Sequence, residues 1–151
     1  MKYSQNQIVY VIFFFIILIV VKPIESVEWS DCSDPSDSFK IEKLEFSPEQ
    51  PIAGQDLIIS VSGYLNKEIT KGEAYLAITF DRIPILKLKG NLCDGMGVTC
   101  PIPQGNYSTT TINQEIPENV PQGYYYVNFV LYDQDDLQIT CVDVQMNITQ
   151  S

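Results

Sequence analysis

Four cysteines and no histidine constrain this chain more than any other feature. Cys32, Cys93, Cys100 and Cys141 form an even set, which admits three pairings. Cys93 and Cys100 stand seven positions apart, with Gly95 and Gly97 between them and Pro101 after. Those glycines can supply the positive φ values that a small closed loop needs. That local pair leaves Cys32 for Cys141, a bridge from the first residues of the folded region to its last strand. By loop-closure entropy, a loop of about 100 residues is worth about 4.7 kcal/mol and the short one about 2.5 kcal/mol. The long bridge is therefore the staple. Neither spacing is that of a zinc knuckle, and without histidine no zinc site is expected.

Disulfides need an oxidising compartment, and the N-terminus supplies a route to one. Lys2 precedes Ile8 to Val21, a run of fourteen residues without a charge. A membrane-spanning helix needs about 20 such residues, whereas a signal-peptide core needs about 7–15. Residues 1–26 are expected to be a cleaved signal peptide, cut after Ser26, and residues 27–151 a single domain. Cleavage removes Lys2, Lys22 and Glu25 and leaves 7 basic against 18 acidic residues, a net charge of −11. That balance argues against nucleic acid as a partner and against electrostatic docking on anionic membranes.

The rest of the chain alternates in strand fashion. Leu57, Ile59, Val61 and Gly63 share one face of one run, and Ala74, Leu76, Ile78 and Phe80 share one face of the next. Ile83 to Lys89 reads as an edge strand, because Pro84 cannot donate to a ladder and Lys87 and Lys89 discourage further pairing. Tyr107 to Ile116 and Tyr124 to Tyr132 follow, the latter with Tyr125, Val127, Phe129 and Leu131 on one face. Leu137 to Ile148 closes the series after an Asp133–Asp136 turn, with a parity change beside Cys141. Phe39 to Ser47 slips between Ile41 and Leu44, which predicts a bulge. Trp29 to Ser38 is Ser-, Asp- and Pro-rich and reads as a leading loop. Its three aspartates lack the glycine and closing glutamate of a calcium loop. About seven short strands without helical periodicity predict an all-β, Ig-like sandwich of antiparallel strands.

No catalytic equipment is visible. There is no histidine, no spare cysteine and no G-x-S-x-G, and the carboxylates concentrate in turns. The chain is not expected to be an enzyme or to need a cofactor. Asn106-Tyr107-Ser108 and Asn147-Ile148-Thr149 are glycosylation sequons. Periodicity alone reads the apolar inner positions as an ordinary sandwich core.

Several residues taken in order carry a family resemblance. They are Asp31-Cys32-Ser33, Phe46-Ser47-Pro48, Gly54-Gln55, Cys93-x₆-Cys100-Pro101-Ile102, Tyr107-Ser108 and Cys141-x-Asp143-x-Gln145. From Val27 to Ile148 the chain resembles the ML, or lipid-recognition, family, which includes phosphatidylglycerol/phosphatidylinositol transfer proteins and the Niemann–Pick type C cholesterol carrier. A cysteine pair of the animal cholesterol carriers, which would fall near Pro48 to Gly54, is missing, and this directs the resemblance toward the phospholipid branch. The resemblance implies a lipid cavity between the two sheets and transfer of lipid between membranes. The cargo would be phosphatidylglycerol or phosphatidylinositol, or a sterol. It implies a pocket at Ile85, Val120, Pro121 and Phe129, walled by Ile78 and Leu131, with Tyr64 and Ile102 near the mouth. A monomer in the secretory pathway, secreted or in the endolysosomal lumen, with transient membrane contact, is the expected form. The alternative is a secreted module that presents lipid to a receptor or binds protein directly.

Overall fold

The computed structural model describes residues 26–95 and 98–150, so the expected signal peptide, apart from Ser26, lies outside the described residues. Among the described residues eight strands form two antiparallel sheets. They are β1 Glu28–Asp31, β2 Phe39–Ser47, β3 Asp56–Leu65, β4 Gly72–Phe80, β5 Ile83–Asn91, β6 Gly105–Glu115, β7 Gly123–Asp133 and β8 Gln138–Ile148. One short helix, α1 Leu92–Gly95, follows β5. The larger sheet runs β1-β8-β7-β4-β5 and the smaller β2-β3-β6. Among the described residues no helix is long and apolar enough to cross a membrane. Both disulfides form, Cys32–Cys141 and Cys93–Cys100, as an oxidising compartment favours.

The strand that the sequence reading missed is β1. Glu28–Asp31 is short and polar, and only its pairing with β8, from Glu28 opposite Gln145 to Asp31 opposite Val142, makes it a strand. The Cys93 loop also departs from the reading by opening with α1. The predicted bulge in β2 lies between Ile41 and Lys43. Gly63 of β3 sits beneath that bulge, where a Cβ would stand 2.2 Å from the Lys40 carbonyl oxygen, so no larger residue fits. The parity change of β8 shows as a register shift where Leu131 and Tyr132 face Thr140 and Gln138.

The β7–β8 hairpin is held by Asp133, whose carboxylate Oδ1 accepts the backbone N–H groups of Asp135 (2.8 Å) and Leu137 (3.1 Å). Its side chain is buried and pairs with Lys67. Burial pushes the carboxyl up, but Lys67 and the two N–H donors outweigh it and hold Asp133 below its ordinary value.

Cross-strand registers fix the faces. On the large sheet Ala74, Leu76, Ile78 and Phe80 stand opposite Leu131, Phe129, Val127 and Tyr125, and these in turn face Thr140, Val142, Val144 and Met146. All point inward. Two buried clusters plug the ends of the sandwich. The first gathers Leu57, Tyr125, Val142, Val144, Met146 and Ile148, and the second gathers Leu65, Ile69, Leu92 and Ile139.

Candidate functional site

The two long sides of the sandwich are built differently. On one side β2 approaches β8 across the interior. Beyond the end of β8, the Thr149 N–H donates to the Pro51 carbonyl (3.1 Å) and the Ala53 N–H to the Thr149 carbonyl (2.9 Å), which stitches the large sheet to the β2–β3 loop. On the other side β5 and β6 are both edge strands, and among the described residues no backbone hydrogen bond joins them. The sheets therefore form a wedge, closed at β2/β8 and open at β5/β6.

The open side is apolar. Leu88 pairs with Leu76 and Leu86 with Ile78, which puts both leucines on the inner face of β5. They are nevertheless 52% and 40% exposed. Lys87 and Lys89 alternate to the outer face, where Lys89 meets Glu73 at 2.8 Å and lies over the Tyr75 ring. Between the two end plugs, Leu76, Phe129 and Val61 belong to neither buried cluster. Gly90, inward on β5 and opposite the buried Ala74, adds room, since a Cβ built there meets nothing within 4 Å. An inner face of this kind, wetted along one side, is a surface on which an extended apolar ligand gains area burial at about 25 cal/mol per Å².

The segment from β5 to β6 crosses from the large sheet to the small one, and it is the segment closed by Cys93–Cys100. Leu92 anchors it in the second cluster. Ile69 and Ile102 exchange backbone hydrogen bonds of 2.9 and 2.8 Å, which dock its far side onto the β3–β4 connection. The disulfide loop thus ties the two lips of the wedge together at one end.

The residues expected at the site scatter along this wedge. Ile78 and Phe129 share the inner face of β4 and β7 as diagonal neighbours, Ile78 opposite Val127 and Phe129 opposite Leu76, with Leu131 one step nearer the second plug. Ile85 falls on the lip, in the irregularity of β5 between Pro84 and Leu86, 53% exposed. Val120 packs on the first plug, and the exposed Pro121 uses its carbonyl to accept the Tyr125 hydroxyl at 2.8 Å. Ile102 belongs to the opposite plug. Tyr64 points away from the interior, because it alternates with Gly63 and Leu65 and pairs with Asn106 and Lys40 on the outer face. Its hydroxyl accepts the Gln104 side-chain amide at 3.1 Å. Leu86, Leu88 and Gly90 were missed, although their alternation with Lys87 and Lys89 already marks an inward side. Two shallow hollows lie elsewhere, on the outer face of the large sheet, one beside Tyr75 and Tyr132 and one beside Trp29 and Gln145. Among the described residues no cluster of three metal-ligating side chains exists.

The sequence profile of the ML domain matches residues 26–148. A Dictyostelium discoideum protein provisionally named phosphatidylglycerol/phosphatidylinositol transfer protein 1 is 90% identical over 151 residues, the full length of both chains. The solved structure of a Niemann-Pick type C2 protein from the Japanese carpenter ant superposes with a TM-score of 0.66 at 18% identity, covering 81% of this chain and 99% of that one. Chicken MD-1 complexed with lipid IVa gives a TM-score of 0.62, also at 18% identity, over 85% of this chain and 94% of that one. At such identity the two structures speak for the fold alone.

Proposed function

The chain belongs to the ML domain family, and on that premise we propose that it seats a phospholipid between its sheets and carries it between membranes. Phosphatidylglycerol and phosphatidylinositol are the first candidates, in keeping with the name of the Dictyostelium relative, and a sterol is the second. The observation that supports this reading is the uncovered inner face of β5, with Leu86 and Leu88 half-exposed beside Leu76 and Phe129. Each buried CH₂ is worth about 0.8 kcal/mol, so a diacyl chain leaves a bilayer readily only for a comparably apolar surface. Acyl chains would lie along Ile78, Phe129 and Leu131, and the polar headgroup would stay at the open side, where no buried charge partner is needed. Exchange of one apolar environment for another needs no cofactor and no catalytic step.

Secretion as a monomer after loss of residues 1–26 belongs to the same proposal. So does a glycan at Asn106, which is exposed on the outer side of β6, whereas Asn147 is half-buried within β8. The test is to extract the protein purified from its secretory source and to assay lipid transfer between vesicles. Mass spectrometry should find a phospholipid in stoichiometric amount, and Phe129→Arg should abolish transfer while secretion continues. Protein free of lipid and inactive in transfer overturns the proposal. Loss of secretion in Phe129→Arg would make that residue core.

A further inference from the structure

The charge of this chain is unevenly spread. Residues 82–93 carry Arg82, Lys87 and Lys89 and no acidic residue, while the whole chain has a net charge of −10, so the remainder stands at −13. Arg82 is the only arginine. It occupies the two-residue turn between β4 and β5, where Phe80 pairs with Ile83. Both turn residues have positive φ, 44° at Asp81 and 71° at Arg82. Two-residue hairpins of this type favour Asn-Gly or Asp-Gly, and an arginine in the left-handed region is a sterically disfavoured choice. The neighbouring acid turns away from the tip. The Asp81 N–H donates to the Tyr124 carbonyl at 3.0 Å, and its carboxylate lies over Gly123 at the start of β7. Arg82 makes no hydrogen bond or ion pair among the described residues. Beside it, Ile83 and Ile85 are 64% and 53% exposed, and Pro84 is exposed between them.

We propose that this hairpin tip is the part of the molecule that docks on a bilayer containing anionic phospholipid. The Arg82 guanidinium takes a lipid phosphate, and Ile83 and Ile85 enter the headgroup–acyl boundary. The occupant follows from charge and apolarity together. A strongly acidic protein is repelled by an anionic surface unless it presents a local cationic point, and this tip is the cationic end of the exposed apolar lip of β5. Guanidinium is suited to the task because its planar fork meets a phosphate bidentately and sheds water more easily than an ammonium. Lys87, which makes no ion pair among the described residues, adds a further charge on the outer side of the same strand, whereas Lys89 is already engaged by Glu73. The dock sits at the end of the lip opposite the disulfide tie, so it would bring the open side of the wedge to the membrane. This purpose rests on the transfer reading above; the docking itself does not.

The experiment is flotation of the mature protein with vesicles of phosphatidylcholine alone and of phosphatidylcholine mixed equally with phosphatidylglycerol. Wild type should float with the mixed vesicles and lose binding as salt is raised. Arg82→Glu should weaken that binding about tenfold or more, Arg82→Lys should retain part of it, and the Ile83→Ser, Ile85→Ser pair should weaken it at every salt concentration. Lys43→Glu on β2, far from the tip, should bind as wild type. Thermal melting of each variant guards against misfolding. Wild type that fails to float, Arg82→Glu that floats unchanged, or elution as a dimer that Arg82→Glu disrupts would each overturn the docking. Lipid extraction of the same preparations separates the two readings. Lipid present without flotation removes only the dock, and flotation without either bound lipid or transfer activity removes only the transfer reading.

Discussion

β8 and β5 belong to the same sheet and carry the same kinds of inward side chain, yet they differ almost completely in burial. On β8, Val142, Val144, Met146 and Ile148 are 5% to 8% exposed, while on β5 Leu86 and Leu88 are 40% and 52% exposed. The cause is what lies opposite. β2 covers β8 and is stitched to its end by backbone hydrogen bonds, whereas the small sheet stops at β6 and leaves β5 uncovered. Identical alternation thus makes core on one side and a bare apolar face on the other. An apolar residue on an inner face is a structural element only if a second sheet reaches it.

The two disulfides offer the largest test of that contrast. Cys32–Cys141 ties β1 to β8 across 109 positions, and Cys93–Cys100 closes only 7. Replacing both cysteines of the long bridge by serine should lower stability by about 4–5 kcal/mol in denaturant titration, and the short pair by about 2.5 kcal/mol. The short pair should also loosen lipid retention out of proportion to its stability loss. A short-bridge variant that unfolds outright would make that loop one more staple.

Truncation on each side comes next. Met146→Ala, in the closed half, should cost about 2–5 kcal/mol by urea unfolding, while Leu88→Ala should stay within about 0.5 kcal/mol and still slow vesicle transfer. Equal losses at the two positions would erase the distinction between core and lip.

Asp133 tests the hairpin that joins the two central strands. Asp133→Asn weakens its pairing with Lys67 and the acceptor of two N–H groups, for about 2 kcal/mol. Because its folded pKa is depressed, its contribution is present above the ordinary value of 3.8 and is lost as pH falls below it. Wild-type stability should therefore hold in mildly acidic medium and fall below about pH 4, with a shallower fall in Asp133→Asn. Parallel pH profiles would remove Asp133 from that role.

The smallest effect on stability and the clearest on function is expected at Gly90. Its Cβ position is open, so Gly90→Phe should change stability by less than about 0.5 kcal/mol while filling the wedge and reducing lipid uptake. Undiminished loading would show that lipid enters elsewhere.

Much of this was legible in the chain. Strand positions, the slip between Ile41 and Leu44 and the outward lysines of β5 all follow from alternation, a local property. Tyr64, expected at the mouth, stands on the outer face, as a parity unbroken from Leu57 already implies. What could not be read locally was β1, which exists only through β8, and the bareness of β5, which depends on how far a sheet built from β2, β3 and β6 extends. The expected pocket residues rest on the same kind of reading, since strand parity gives a face but not what covers it.

The bare lip would also give a lipid carrier two different solubilities. A lipid seated in the wedge would cover Leu86 and Leu88, and its release would uncover them. Loaded protein would thus be the better-hydrated solute, favoured to diffuse away, and unloaded protein the stickier one, favoured to return to a bilayer. Such a carrier would have a sense of direction without any fuel: net traffic would run from the membrane where the lipid is abundant to the one where it is scarce.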